Sequence, residues 1–339
     1  MEKIFVSVAS YRDRRCSTTI SSLFEKAKYP ERIIVGVCQQ NKNDKETCTP
    51  RNFKYANQIR VIHKNFKEAK GPTFARYLCS TLFADEDFFL QIDSHSLLVR
   101  DWDVKCIDMI KALERSSTVT NKKVLLSHYP PSWETYKENA DNKYVTHMVE
   151  CFFNNHGILS FRGAKWKPPG PLPRRNAFLA GGFIFSRGTW LREVPFDPHL
   201  DFLFTGEEIL LSARSFTYGW DVYTPNQNII YHAYTRKKEP KFWTDTIYNN
   251  EEAREKVKII IGLSNDVEKL KTPRIRNSLT KYGLGKIRTL TDFYKFIGVD
   301  PEKKTIQKPS IEFFQNPEPF YKNFGNQVIL GLLLLLLLL

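Results

Sequence analysis

Apolar and polar positions alternate between two rhythms along the first ninety residues. Ile4-Phe5-Val6-Ser7-Val8-Ala9 is an apolar, β-branched run of the kind found in strands buried on both faces. From Ser17 to Ala27 the rhythm becomes helical, with Ile20, Leu23, Phe24 and Ala27 on one side and Pro30 beyond the end. Strands are expected again at Arg32–Cys38 and Ile59–His63. A helix is expected over Gly71–Phe83, opened by Gly71-Pro72-Thr73. A fourth strand, Asp87–Ile92, ends at Asp93-Ser94-His95. The order β-α-β-β-α-β predicts an α/β fold with a mostly parallel sheet between helices. Ligands of such sheets bind at the carboxyl ends of the strands. Three of those ends are polar here: Ser10-Tyr11-Arg12-Asp13, Gln39-Gln40-Asn41 and Asp93-Ser94-His95.

The rest of the chain is less regular. Helix and strand resume between Trp102 and Cys151. His156–Asn176, rich in Pro, Gly and basic residues, reads as a long loop. Phe178–Phe185 is strand-like and interrupted by Gly181-Gly182. Phe204–Ser215 reads as a helix led by Thr205-Gly206-Glu207-Glu208, and Asp221–His232 as strand. A helical patch lies within Arg254–Asp300. The organisation expected is a catalytic domain over 1–300, a surface-wrapping extension over 301–327, and a hydrophobic tail over 328–339 that ends in eight leucines. Twelve apolar residues make about 18 Å of helix, short of a hydrocarbon core of about 30 Å, so the tail reads either as a membrane-dipping segment or as low-complexity sequence.

Composition narrows the function classes. Hydrophobic residues make up 42% of the 339, enough for a core, which excludes global disorder. A formal charge of +14 favours anionic ligands, but no nucleic-acid-binding module is recognisable and no nucleic-acid partner is expected. None of the six cysteines forms a C-x-x-C pair, and Met1-Glu2-Lys3 leads straight into the first strand. A reducing compartment and a cytoplasmic location are therefore expected, with membrane contact through the tail left open.

The chemistry centres on Asp93-x-His95. Side chains two apart at a strand end point the same way, so this carboxylate and imidazole can share a divalent ion, Mn²⁺ or Mg²⁺, whose open positions take phosphate oxygens. A turn-capping Asp beside an exposed His is the alternative. Near the other strand ends, Tyr11 can stack on a base and Asp13 can take a base or ribose hydrogen bond. Gln39 and Gln40 can read a uracil edge. Arg76 reads either as a diphosphate or uracil contact or as an exposed helix arginine. Gly181 and Gly182 either let backbone approach a ligand or mark a bulge. Glu207 and Glu208 either grip sugar hydroxyls or complement a helix dipole.

The ordered segments Ile4–Asp13, Gly36-Val37-Cys38-Gln39-Gln40, Gln91-Ile92-Asp93-Ser94-His95, Ala180-Gly181-Gly182-Phe183, Phe204-Thr205-Gly206-Glu207-Glu208, Tyr231-His232-Ala233-Tyr234-Thr235-Arg236 and Gly283–Leu290 resemble the GT-A glycosyltransferases that glycosylate polypeptides. The match is closer to the polypeptide N-acetylglucosaminyltransferases that modify hydroxyproline on the Skp adaptor of SCF ubiquitin ligases, and it covers about residues 3 to 300. The resemblance implies a Rossmann-like GT-A fold and a UDP-sugar donor, with GlcNAc the sugar. It implies a metal held by Asp93, His95 and His232, and a nucleotide site including Tyr11, Arg12, Asp13, Gln39, Gln40, Arg76, Asp93, Gly181 and Gly182. It also implies Glu207 and Glu208 as catalytic carboxylates on the donor sugar, retention of anomeric configuration, and a protein acceptor. The sequence departs from the mucin-type pattern at the tryptophan of W-G-G-E, where Phe204 and Thr205 precede Gly206, and no lectin domain follows. An inactive GT-A-like binding module and a glycan acceptor are the competing readings.

Overall fold

The computed structural model describes residues 1–43, 46–139, 143–166, 170–236, 239–306 and 318–319. Strand β1 (Ile4–Tyr11) leads into helix α1 (Cys16–Glu25), followed by β2 (Ile33–Asn41), β3 (Ile59–Asn65), α2 (Gly71–Ser80) and β4 (Phe88–Asp93). These are the six elements expected, with boundaries moved by up to three residues. Strands β1, β2, β3 and β4 are mutually parallel, with Ala9 level with both Cys38 and Asp93. Val6 and Val8 point into one core cluster with Ile20, Leu23 and Phe24 of α1. Phe5 points into another with Phe89 and Trp190. Both faces are thus covered, which is why the strand reads as a nearly unbroken apolar run.

Beyond β4 come β5 (Ser96–Leu98), α3 (Trp102–Arg115), β6 (Val124–Ser127), β7 (Val145–Phe153), β8 (Leu159–Trp166), β9 (Arg174–Asn176), β10 (Phe183–Arg187) and α4 (Thr189–Glu193). The chain continues through α5 (Glu207–Thr217), β11 (Asp221–Thr224), β12 (Ile230–His232), α6 (Phe242–Asp245), α7 (Glu251–Ile260), α8 (Pro273–Asn277) and α9 (Leu290–Ile297). The main sheet has the order β3-β2-β1-β4-β10-β6-β11-β9, with β10 antiparallel to both of its neighbours. Because β1 connects toward β2 on one side and pairs with β4 on the other, a crevice opens between the carboxyl ends of β1 and β4.

Three sequence expectations change. The stretch 156–176 is not one long loop: it holds β8, which pairs antiparallel with β7, and β9, which pairs antiparallel with β11. Leu159 and Phe161 are buried on one face there while Arg162 is exposed on the other, an alternation over 159–162 that the Pro, Gly and basic content obscures. The run 221–232 is two strands, β11 in the main sheet and β12 in a two-stranded ribbon with β5. Cys16 and Cys48 are joined by a disulfide, against the reducing-compartment expectation. Cys48 is drawn to the start of α1 because its backbone N–H donates to the buried Gln39 amide oxygen (3.0 Å). Cys38, Cys79, Cys106 and Cys151 are buried and in no disulfide among the described residues. Among the described residues no helix is long and apolar enough to cross a membrane. The leucine tail and most of the expected extension lie outside the described residues.

Candidate active site

Asp93 is the last residue of β4, and the chain turns through Ser94 and His95 into β5. Strand β12 pairs antiparallel with β5, placing His232 level with Ser96. That ribbon carries a histidine from 139 residues further along the chain onto Asp93. His232 Nε2 lies 3.1 Å from Asp93 Oδ2, and the His95 and His232 ring centres are 4.5 Å apart. Asp93, His95 and His232 each offer a ligand atom, and these atoms all lie within 4.8 Å of one another. One carboxylate and two imidazoles are a donor set suited to Mn²⁺ or another divalent transition metal.

The surroundings tune this set. His95 Nδ1 is 2.7 Å from Asp13 Oδ2, a carboxylate with no solvent exposure. With Nδ1–H donated to Asp13, Nε2 carries the lone pair, the arrangement in which an outer carboxylate fixes a ligand histidine. Burial, followed by the charges of His232 and Arg236, holds His95 below the ordinary histidine range against the opposing pull of Asp13, which favours the neutral, ligating form. Burial alone would raise the Asp93 carboxyl. The His232 hydrogen bond and the charges of Arg76 and the two histidines outweigh it and keep Asp93 well below the usual range.

Arg76, on α2, is a buried bridge rather than an exposed helix arginine. It donates to Asp93 Oδ1 (2.8 Å) and to Glu207 at the start of α5. Helix α5 begins at Glu207 because Gly206 turns the chain with φ +111°, a conformation open to glycine. The Gly181-Gly182 turn closes over this group. A Cβ on Gly181 would lie 2.9 Å from Arg76 Nη1, and one on Gly182 would lie 3.2 Å from Asp93 Oδ2. Close approach, not backbone freedom, disfavours a side chain here: Arg76 would have to shift for one at 181, and Asp93 would have to give by a few tenths of an ångström for one at 182.

Several expected contacts are redirected. Asp13 faces inward with no solvent exposure: Oδ2 takes His95, Ser94 Oγ (2.8 Å) and Arg236 (3.2 Å), and Oδ1 takes the Arg15 N–H. The Gln39 amide meets His63 (2.9 Å) and accepts from the Cys48 N–H (3.0 Å). Gln40 is buried, and its Nε2 donates to the Ser10 carbonyl (3.2 Å). Glu207 meets Arg76. Glu208 accepts from the Gly181 N–H and the Tyr129 hydroxyl, both at 2.8 Å. Tyr11 and Arg12 stand at the crevice, and both bind Asp245 of α6 (2.8 and 2.6 Å), while Arg12 also reaches Glu46 (3.2 Å). Tyr129, Glu46 and Asp245 escaped the sequence reading. Each meets a partner far along the chain, for which local composition carries no signal.

The fold is shared with a solved glycosyltransferase. The solved GalNAc-T7, in complex with UDP, GalNAc and Mn²⁺, is similar at a TM-score of 0.55 and 10% identity, over 86% of this chain and 56% of that one. The chain therefore spans little more than half the length of that relative. Staphylococcus aureus TarS 1–349 with UDP-GlcNAc matches at a TM-score of 0.45 and 14% identity, over 83% of this chain and 73% of that one. The mannosyltransferase PcManGT from Pyrobaculum calidifontis, with GDP-Man and Mn²⁺, matches at 0.46 and 9%, over 89% and 72%. No curated protein sequence matches. The family model described as Glycosyltransferase (GlcNAc) matches residues 3–56 and 50–303, nearly the whole described chain. The chain belongs to the Glycosyltransferase (GlcNAc) family.

Proposed function

We propose that this protein is a metal-dependent, retaining glycosyltransferase that moves GlcNAc from UDP-GlcNAc to a hydroxyl of a polypeptide. The observation that carries the reading is the convergence of Asp93, His95 and His232 at the carboxyl end of β4, beside the β1–β4 crevice. Asp93, His95 and His232 would hold the divalent ion, Mn²⁺ or Mg²⁺, which would supply Lewis-acid stabilisation to a departing diphosphate. Asp13 fixes the His95 ring, and burial keeps it neutral. Arg76 sets the direction of Asp93 and, with Glu207, forms the floor beneath the Gly181-Gly182 turn. Tyr11 and Arg12 border the nucleotide side of the crevice. Fixed charges already in place would supply most of the rate, with no protein nucleophile required.

The family description supports GlcNAc as the sugar, and the sequence resemblance supports a polypeptide acceptor, with hydroxyproline on the Skp adaptor of an SCF ubiquitin ligase as the first candidate. The test is UDP release by the full chain from a panel of UDP-sugars with Mn²⁺, with and without EDTA, followed by incubation with hydroxyproline-, serine- and threonine-containing acceptor proteins. Metal-dependent release from UDP-GlcNAc that is lost in Asp93→Ala supports the reading. Absence of both UDP binding and release overturns it.

A further inference from the structure

The Gly181-Gly182 turn is the wall of the site nearest Asp93 and Arg76, so whatever fixes that turn fixes the space left for a ligand. Three tethers hold it. Ala180 N–H donates to Ser127 Oγ (2.8 Å), Gln91 Nε2 donates to the Gly181 carbonyl (2.8 Å), and Gly181 N–H donates to Glu208 Oε1 (2.8 Å). Only the third is ionisable, and its other oxygen accepts the Tyr129 hydroxyl. The geometry points to Tyr129 and Glu208 as a positioning pair that holds the Gly181-Gly182 turn against Asp93 and Arg76 and makes turnover depend on Glu208 being ionised. The pair assigns Glu208 to the protein rather than to the sugar, and the turnover part of the inference rests on the function proposed above.

An ionised carboxylate accepts both hydrogen bonds with full strength, whereas protonation takes one oxygen out of the arrangement. Burial raises Glu208 and outweighs the lowering by the hydrogen bonds from Gly181 and Tyr129, leaving it at about 7. The other groups facing it are Glu207 on its own helix, Arg76 on α2 and the Tyr234 phenol after β12. Losing the Tyr129 hydroxyl removes a bond to the charged form and moves the titration upward. The Phe that replaces it keeps the ring packing.

The experiment compares the full chain with Tyr129→Phe, Glu208→Gln and the double variant. Hydrogen exchange of the peptide spanning 178–185 is read alongside the pH profile of UDP release from UDP-GlcNAc with Mn²⁺. Expected are faster exchange of that peptide in Tyr129→Phe at one fixed pH, and an acid limb displaced upward by about one pH unit, a loss of roughly tenfold on the acid side that recovers on the alkaline side. Glu208→Gln keeps an acceptor for Gly181, so its acid limb disappears and the added Tyr129→Phe change no longer shifts it. A uniform loss at every pH, or unchanged exchange in Tyr129→Phe, overturns the pair. Absence of UDP release from the unaltered chain is a failure of the proposed function, and hydrogen exchange then decides the positioning role alone.

Discussion

The carboxylate of Asp13 and the imidazole of His95 meet at 2.7 Å across a separation of 82 residues, with Asp13 wholly shielded from solvent. An outer carboxylate of this kind raises the basicity of a ligand histidine and fixes its ring. Asp13→Asn preserves the shape and an acceptor but removes the charge. Mn²⁺ affinity, followed by electron paramagnetic resonance of the free ion, is expected to fall by about 10- to 100-fold. An unchanged affinity would remove Asp13 from the site.

Arg76 ties together two carboxylates from different parts of the fold. Arg76→Ala leaves Asp93 and Glu207 facing each other without a counter-charge, and destabilisation of about 3 kcal/mol is expected, the low end of the range because Asp93 keeps some solvent contact. Both carboxyls then protonate more readily, so the loss shrinks as pH falls. Urea denaturation of both proteins at acid and alkaline pH reads the difference.

Glu208 has the opposite sign from an ordinary ion-paired carboxylate. Its folded value, raised to about 7 by burial, exceeds its unfolded one, so the folded state binds the extra proton. Its contribution to stability is full at pH below about 4.5 and declines as pH rises toward 7. Glu208→Gln is expected to raise stability above pH 7 by about 1–2 kcal/mol, after allowance for the side chain's partial exposure, and to change little near pH 4. Melting temperatures at the two pH values check this.

The Cys16–Cys48 bond closes a loop with a sequence separation of 32. On the chain-entropy account its reduction costs about 4 kcal/mol. Mass spectrometry of alkylated, unreduced protein from the native cell tests whether the bond forms there. Two free thiols would restore the reducing-compartment expectation, and a bonded pair would place folding under oxidising conditions.

The sequence made β1 to β4 readable because strands buried on both faces have little freedom of composition: Val6 and Phe5 must both be apolar, since each enters a different core. The same logic failed over 156–176, where one face of β8 is solvated and Arg162 and Lys165 blend into a basic background. Asp93, His95 and His232 were legible as a set only through their order along the chain. The β5–β12 pairing that unites them involves three residues on each strand, too few for a periodic signal. The orientation of Asp13 was not legible. It follows Arg12, whose φ of +47° reverses the chain and sends the next side chain inward. Glu207 and Glu208 were located, but their partners lie 131 and 79 residues earlier on Arg76 and Tyr129, beyond any local pattern.

The β5–β12 ribbon has a consequence for biogenesis. Two of the three candidate ligands are synthesised together on the first half of the chain, and the third arrives only after Ile230–His232 has been made and has found Ser96–Leu98. A chain stopped before that pairing holds an incomplete set, so tight metal capture is deferred until β12 docks. Ion occupancy would then act as a certificate of completed folding, and an ion that binds only the finished molecule would add its own binding free energy to the stability of that state.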